Sequence, residues 1–132
     1  VSFGPEPIAD ADTQEFWTAA AERRLVVQRC SACQRWIWQP RPLCPSCHTP
    51  DPQWTEVAGD GQLVSWTVIY PPVLRAWQNE VPFTVVLVEL TQGVRMVGRL
   101  VDGDDEDLRI GQAMTLRWRT TAGRTLPAWT PA

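Results

Sequence analysis

Lysine is missing from these 132 residues: all 12 basic side chains are arginine, against 15 carboxylates, for a formal net charge of −3. A sequence-independent nucleic-acid surface needs a strongly basic groove, so this balance argues against one. Histidine occurs once, as His48 beside a cysteine pair, with no serine or free cysteine nucleophile patterned around it; hydrolase-type catalysis has no basis here. Long apolar runs are also absent. The longest, Val85 to Val88, stops at Glu89, far short of the ~20 residues that span a bilayer, and no membrane partner is expected. There is no glycine-rich phosphate loop followed by lysine and no dinucleotide fingerprint. Clustered carboxylates occur only in Asp102-Gly103-Asp104-Asp105-Glu106-Asp107, which reads as a solvated turn. Free-standing catalysis is not expected. The chain opens at Val1 without a basic, apolar leader, so a cytoplasmic location is expected, and a first residue other than Met suits a module of a larger protein.

What the chain does hold is 8 Trp, 12 Pro and 4 Cys in 14.9 kDa, room for one domain or two very small ones. Residues 1–11, with Gly4, Pro5 and Pro7, read as an arm. Asp12-Thr13-Gln14-Glu15 predicts a capping box opening a helix that ends near Arg24 and carries Phe16, Trp17, Ala20, Ala21 and Leu25 on one stripe. Short β pieces broken by cysteine pairs follow from Leu25. Strands are then predicted at Gln53–Ala58, Gln62–Tyr70, Phe83–Leu90, Val94–Val101 and Ala113–Arg119, five strands that make a small β-barrel. Thr120–Ala132 reads as an irregular tail with Trp129 as an anchor. The expected division is an arm and helix over 1–24, a zinc ribbon over 25–57, a barrel over 58–120 and a tail over 121–132. Residues 71–82, between two strands and bearing Leu74, Arg75 and Trp77, are long for a hairpin loop and form a functional-loop candidate. Both faces of Phe83–Leu90 are apolar, which predicts that the N-terminal helix or another protein covers the outside of the barrel.

The cysteines are Cys30-x2-Cys33 and Cys44-x2-Cys47 with ten residues between the pairs. Two residues between cysteines let both thiolates of a tight turn face one ion about 2.3 Å away, and two such turns complete a tetrahedral site. Four thiolates leave no position for water, so zinc here is structural. A redox pair would sit between strand and helix, whereas proline and short strands flank these pairs, and two disulfides would suit a secreted chain; a rubredoxin-type iron centre is the remaining competitor. Four thiolates and one Zn²⁺ add −2 and lower the formal charge to −5, so Arg29, Arg35 and Arg41 beside the knuckles read as local compensation. Between the knuckles lie Trp36 and Trp38, one expected to cover the ribbon and the other to face a ligand or subunit.

The capped helix, the stretch RLVVQRCSACQRWIWQPRPLCPSCHTPDPQWTEVAGDGQLVSWTVIYPP, and the later PFTVVLVELTQGVRMVGRLV and DLRIGQAMTLRWR together resemble the acyl-CoA-associated OB-fold family with a rubredoxin-like zinc ribbon, long called domain of unknown function 35. The resemblance runs over residues 12–119 and rests on the cysteine pairs, Pro40-Arg41-Pro42, the turn Gly59–Gly61 and Gly93-Val94-Arg95. Where many knuckles carry glycine after the second cysteine, this one has Gln34. The resemblance implies a mainly β fold with an N-terminal helix, a ribbon and a five-stranded OB barrel. It also implies a non-catalytic partner of thiolase-superfamily enzymes, thiolases or steroid side-chain aldolases, in a heterotetramer acting on a CoA thioester.

A CoA ester needs an apolar channel and arginines for its phosphates, and Trp38, Arg41, Trp66, Tyr70, Arg75 and Trp77 are the expected suppliers. Phe16, Trp17, Trp36 and Trp77 are the expected partner anchors. Two other readings remain at this point. One is an acyl-CoA-binding module fused to a MaoC-type enoyl-CoA hydratase; the other is an OB-fold single-stranded nucleic-acid binder, which the missing lysines disfavour.

Overall fold

A computed structural model of the chain describes residues 5–121 and 123–132. It is mainly β, with one short helix, a three-stranded sheet that carries the cysteine turns, and a closed five-stranded barrel. Residues 1–4 of the expected arm lie outside the described residues; farther along the arm, Glu6 pairs with Arg124 at 3.1 Å.

Helix α1 spans Gln14–Ala21. Its cap differs from the Asp12/Glu15 box expected from the sequence. The Asp10 carboxylate accepts from the amides of Asp12 and Thr13 at 3.0 and 2.9 Å, and the Thr13 hydroxyl accepts from the Asp10 amide at 3.0 Å. Asp10 and Thr13 thus make the reciprocal exchange, and the short Thr13 side chain completes it without a long glutamate reaching back. The helix also stops sooner than Arg24. Arg23 enters the left-handed region at φ 59, and the Arg23 and Arg24 amides bond back to Ala20 and Ala19 at 2.9 Å. Leu25 therefore begins a strand instead of extending the helical stripe.

Strands β1 (Leu25–Arg29), β2 (Trp36–Ile37) and β3 (Gln53–Val57) form the first sheet, in the order β2-β1-β3. Gln53–Val57, counted among the five barrel strands although the expected division placed it in the ribbon, pairs along all of β1, from Leu25↔Val57 to Arg29↔Gln53. Leu25, Val26, Val27 and Gln28 are all buried, and a strand buried along its length needs hydrogen-bonding partners on both edges. The buried amide of Gln28 does a second job. Its Nε2 donates to the Arg41 carbonyl at 3.0 Å and its Oε1 accepts from the Arg41 amide at 2.8 Å, fixing the segment that leads into the second knuckle.

The barrel contains β4 (Asp60–Ile69), β5 (Phe83–Leu90), β6 (Arg95–Leu100), β7 (Ala113–Thr121) and β8 (Arg124–Pro131), closed in the order β4-β5-β6-β8-β7. The fifth barrel strand is thus β8, in the region expected to be an irregular tail. It pairs antiparallel with β7 from Met114↔Pro131 to Thr121↔Arg124 and parallel with β6 at Arg99↔Ala128 and Leu100↔Trp129. Pro127 and Pro131 hid this strand, because proline removes a ladder donor.

Strand alternation sets the two faces of the barrel. Val86, Val88, Met96, Met114 and Trp129 point inward and are at most 2% exposed. Trp129 lies so close over Gly98 that a Cβ there would stand 2.8 Å from the indole Cδ1. Phe83, Val85 and Leu87 point outward. Helix α1 packs on β1 and β8, so it does not cover Phe83. That cover comes from residues 71–82: Trp77, in a 3-10 turn at Arg75–Trp77, meets the Phe83 ring edge-on at 5.2 Å, and the Arg99 guanidinium lies 4.1 Å over the same ring.

Trp129→Ala is expected to cost about 3–5 kcal/mol, as large-to-small changes of a buried tryptophan do, and urea denaturation followed by far-UV circular dichroism measures it. A loss below about 1 kcal/mol would show that the indole is not the centre of the barrel core.

Candidate functional site

The two knuckles have the same construction. In the first, the Gln34 amide bonds to the Cys30 carbonyl at 3.0 Å; in the second, the His48 amide bonds to the Cys44 carbonyl at 3.0 Å. Each turn closes through a non-glycine residue in the left-handed region, Gln34 at φ 66 and His48 at φ 63. Gln34 is held there by its own side chain, whose Nε2 donates to the Ser31 carbonyl at 3.0 Å. His48 thus has a backbone position in the second turn, and its side chain is exposed.

The turns bring all four sulfurs within 4.8 Å of one another, with Cys30–Cys47 at 3.5 Å and Cys33–Cys44 at 3.7 Å. Sulfurs at the corners of a tetrahedron about 2.3 Å from zinc stand roughly 3.8 Å apart, so the donors fit structural zinc. Amides point at the sulfurs: Cys33 N–H to Cys30 Sγ and Ser46 N–H to Cys44 Sγ, both at 3.4 Å. The Thr49 hydroxyl and amide pull the Cys47 thiol down to about 6, toward the thiolate that a metal requires. The Cys47 amide, with that of Ser46, likewise lowers the Cys44 thiol. Cys30 and Cys44 are buried and Cys33 and Cys47 exposed, leaving one edge of the centre open to solvent.

The neighbouring arginines are bound into the ribbon. Arg29 lies 4.6 Å over the Trp36 ring and donates to the Gln34 carbonyl at 3.1 Å. Arg35 donates to the Ser46 hydroxyl and so joins the two knuckles. Beyond them, the ribbon and the tip of the β5–β6 hairpin enclose a groove of about 390 Å³. Arg35, Arg41 and Arg95 line it together with Trp36 and Trp38.

The residues expected to form one channel are spread over three places. Trp38 and Arg41 line the ribbon–barrel groove. Trp66 stands half-buried in β4 against the core. Tyr70, at 68% exposure, and the exposed Arg75 lie with Trp77 at or in the 71–82 segment. Of the expected partner anchors, Phe16 is 4% exposed and belongs to the core, whereas Trp17, Trp36 and Trp77 are half-buried. The large exposed apolar side chains are others, among them Val73, Leu74 and Val97. Sequence reading also missed Arg95, Arg99 and Arg119. Their alternation with apolar or small neighbours on β6 and β7 was a usable signal, but the groove partners come from distant segments.

Two family descriptions match the chain: "ChsH2, rubredoxin-like zinc ribbon domain" over residues 17–53 and "ChsH2, C-terminal OB-fold domain" over residues 54–119. The chain belongs to the ChsH2 family. Among solved structures, it is similar to a chain of the "Ltp2-ChsH2(DUF35) aldolase", with 38% identity, a TM-score of 0.86, and coverage of 96% of this chain and 98% of that one. A protein of the DUF35 family from Sulfolobus solfataricus shares the fold at 13% identity, with a TM-score of 0.64 over 94% of this chain and 87% of that one. Of curated proteins, it is 40% identical to a "Probable enoyl-CoA hydratase alpha subunit" from Thermomonospora curvata, over 97% of this chain and 40% of that protein. It is 26% identical to a "DUF35 domain-containing scaffold protein" from Methanocaldococcus jannaschii, over 78% of this chain and 74% of that protein. This ChsH2-family chain thus spans about 40% of the Thermomonospora relative's length. Strand β8 lies beyond the matched OB segment, yet closes the barrel.

Metal analysis of freshly reduced protein is expected to find one zinc per chain. Cys44→Ser should release the metal and unfold the ribbon, since metal binding and folding of such a site are one equilibrium; full zinc content in that variant would refute the four-cysteine assignment.

Proposed function

We propose that this chain is a non-catalytic accessory subunit that docks on a thiolase-superfamily aldolase or thiolase, in a heterotetramer, and helps to hold that enzyme's acyl-CoA substrate. The observation that carries the reading is the match over 98% of the ChsH2(DUF35) chain in a solved aldolase. Catalytic residues then belong to the partner, and this chain contributes a binding surface.

The ribbon–barrel groove supports a role toward the CoA head. Arg41 and the guanidinium nitrogens that Arg35 and Arg95 do not spend on Ser46 and Glu89 offer planar donors suited to phosphate oxygens, and Trp36 and Trp38 offer faces on which a purine can stack. Its walls come from the zinc ribbon and from a barrel hairpin, and the metal centre shapes the ribbon wall. A second reading is favoured by the hydratase alpha subunits of which the chain covers about two fifths: an acyl-CoA module serving a fused MaoC-type hydratase.

Co-expression with a thiolase-superfamily aldolase from the same host is expected to raise that enzyme's soluble yield and its activity; full activity of the enzyme alone, with no affinity for this chain, would sink the proposal. Calorimetry of the isolated chain with CoA separates the two readings, because measurable affinity without a partner favours the autonomous module. Where CoA binds, Arg41→Glu and Arg95→Glu should each weaken it about tenfold or more.

A further inference from the structure

A second cleft, of about 300 Å³, lies on the other side of Trp38. Phe16, Trp17, Trp38 and Pro40 wall it, and Val97, Leu126 and Pro127 of β6 and β8 form its floor. The register places Val97, Arg99, Leu126 and Arg119 on one face: Arg99, two residues from Val97, pairs with Ala128, two residues from Leu126, and Leu126 pairs with Arg119. Val97 is 57% exposed for an apolar side chain on a strand. Arg99 and Arg119 line the same cleft.

Those two guanidiniums share one carboxylate. Glu80, brought over by the 71–82 segment, lies 2.9 Å from Arg99 and 3.9 Å from Arg119. The three side chains are only 17%, 28% and 25% exposed for Arg99, Arg119 and Glu80, in that order. Arg119 loses hydration by burial and is repelled by Arg99, which holds its pKa below the ordinary value. One positive charge is left over in a half-buried, largely carbon-lined place, where an added anion is bound more strongly than on an open surface.

We propose that this cleft binds a small apolar carboxylate, with its hydrocarbon body over Val97 and Leu126 between the Trp17 and Trp38 rings and its carboxylate on Arg119. The site is separate from the ribbon–barrel groove and does not depend on CoA binding or on a partner enzyme. Its volume suits a body of roughly ten non-hydrogen atoms, for which a Kd of about 1 mM lies within the ligand-efficiency ceiling.

The test uses octanoate and octan-1-ol as probes on the intact zinc-loaded chain at pH 7, with tryptophan fluorescence and NMR shift titration as readouts. Octanoate is expected to saturate a single site with a Kd of about 1 mM, and octan-1-ol to bind at least tenfold more weakly. Arg119→Gln should remove this preference for the acid, and Val97→Glu, which sets a carboxylate on an exposed floor position, should weaken octanoate at least tenfold with the thermal midpoint unchanged. Equal affinity for acid and alcohol, unchanged binding by Val97→Glu, or no saturable octanoate binding each overturns the proposal. Should Arg119→Gln fail to fold, Val97→Glu and the acid–alcohol comparison decide alone.

Discussion

Four thiolates converging on one point are the constraint on which the ribbon depends. Its sheet has a two-residue strand at one edge and a five-residue strand at the other, too little hydrogen bonding to define a unit alone. The cysteine turns supply what the sheet lacks. They fix Trp36 and Trp38 between the knuckles, and the buried Gln28 amide then holds the Arg41 backbone in place. Trp38 in turn meets Phe16 of α1 at 4.9 Å. Position therefore passes from metal to ribbon, from ribbon to helix, and from helix to the barrel strand on which it packs.

Much of this was legible because the physics was local. The spacing of Cys30, Cys33, Cys44 and Cys47 constrains donor geometry almost by itself, and the glycine-bearing turns before β4 and after β5 follow from backbone sterics. The failures were non-local. Gln53–Val57 has the same strand character whether it joins ribbon or barrel, and only the need of buried β1 for a second partner decides between them. Strand β8 was hidden by Pro127 and Pro131, which lie outside the Ala128 and Trp129 positions that pair with both β6 and β7, where a missing donor costs less. Arg99 and Arg119 reach one cleft only because β8 inserts between β6 and β7 in the sheet.

Trp38 lines two recesses of different chemistry. On one side lie three arginines and the ribbon; on the other lie an apolar floor and a pair of arginines sharing Glu80. One indole thus forms a common wall, and a shift of the segment around it would alter both recesses together. The 71–82 segment reaches the arginines of the second recess through Glu80 and turns Val73 and Leu74 toward solvent. It combines a half-buried anchor, Trp77 on Phe83, with an exposed apolar tip.

The insertion of β8 between β6 and β7 also bears on the order in which the molecule can be made. During synthesis the ribbon, α1 and β4 through β7 all leave the ribosome before Arg124, and until then β6 and β7 lack the strand that joins them. The barrel interior would be missing Trp129 for the same interval, with Gly98 facing an empty space where the indole belongs. Ribbon assembly around its metal can proceed early, from segments close in sequence, whereas barrel closure is a late, long-range step. A ChsH2-family chain cut between β7 and β8 would therefore keep its metal centre and still present two unpaired strand edges to its surroundings.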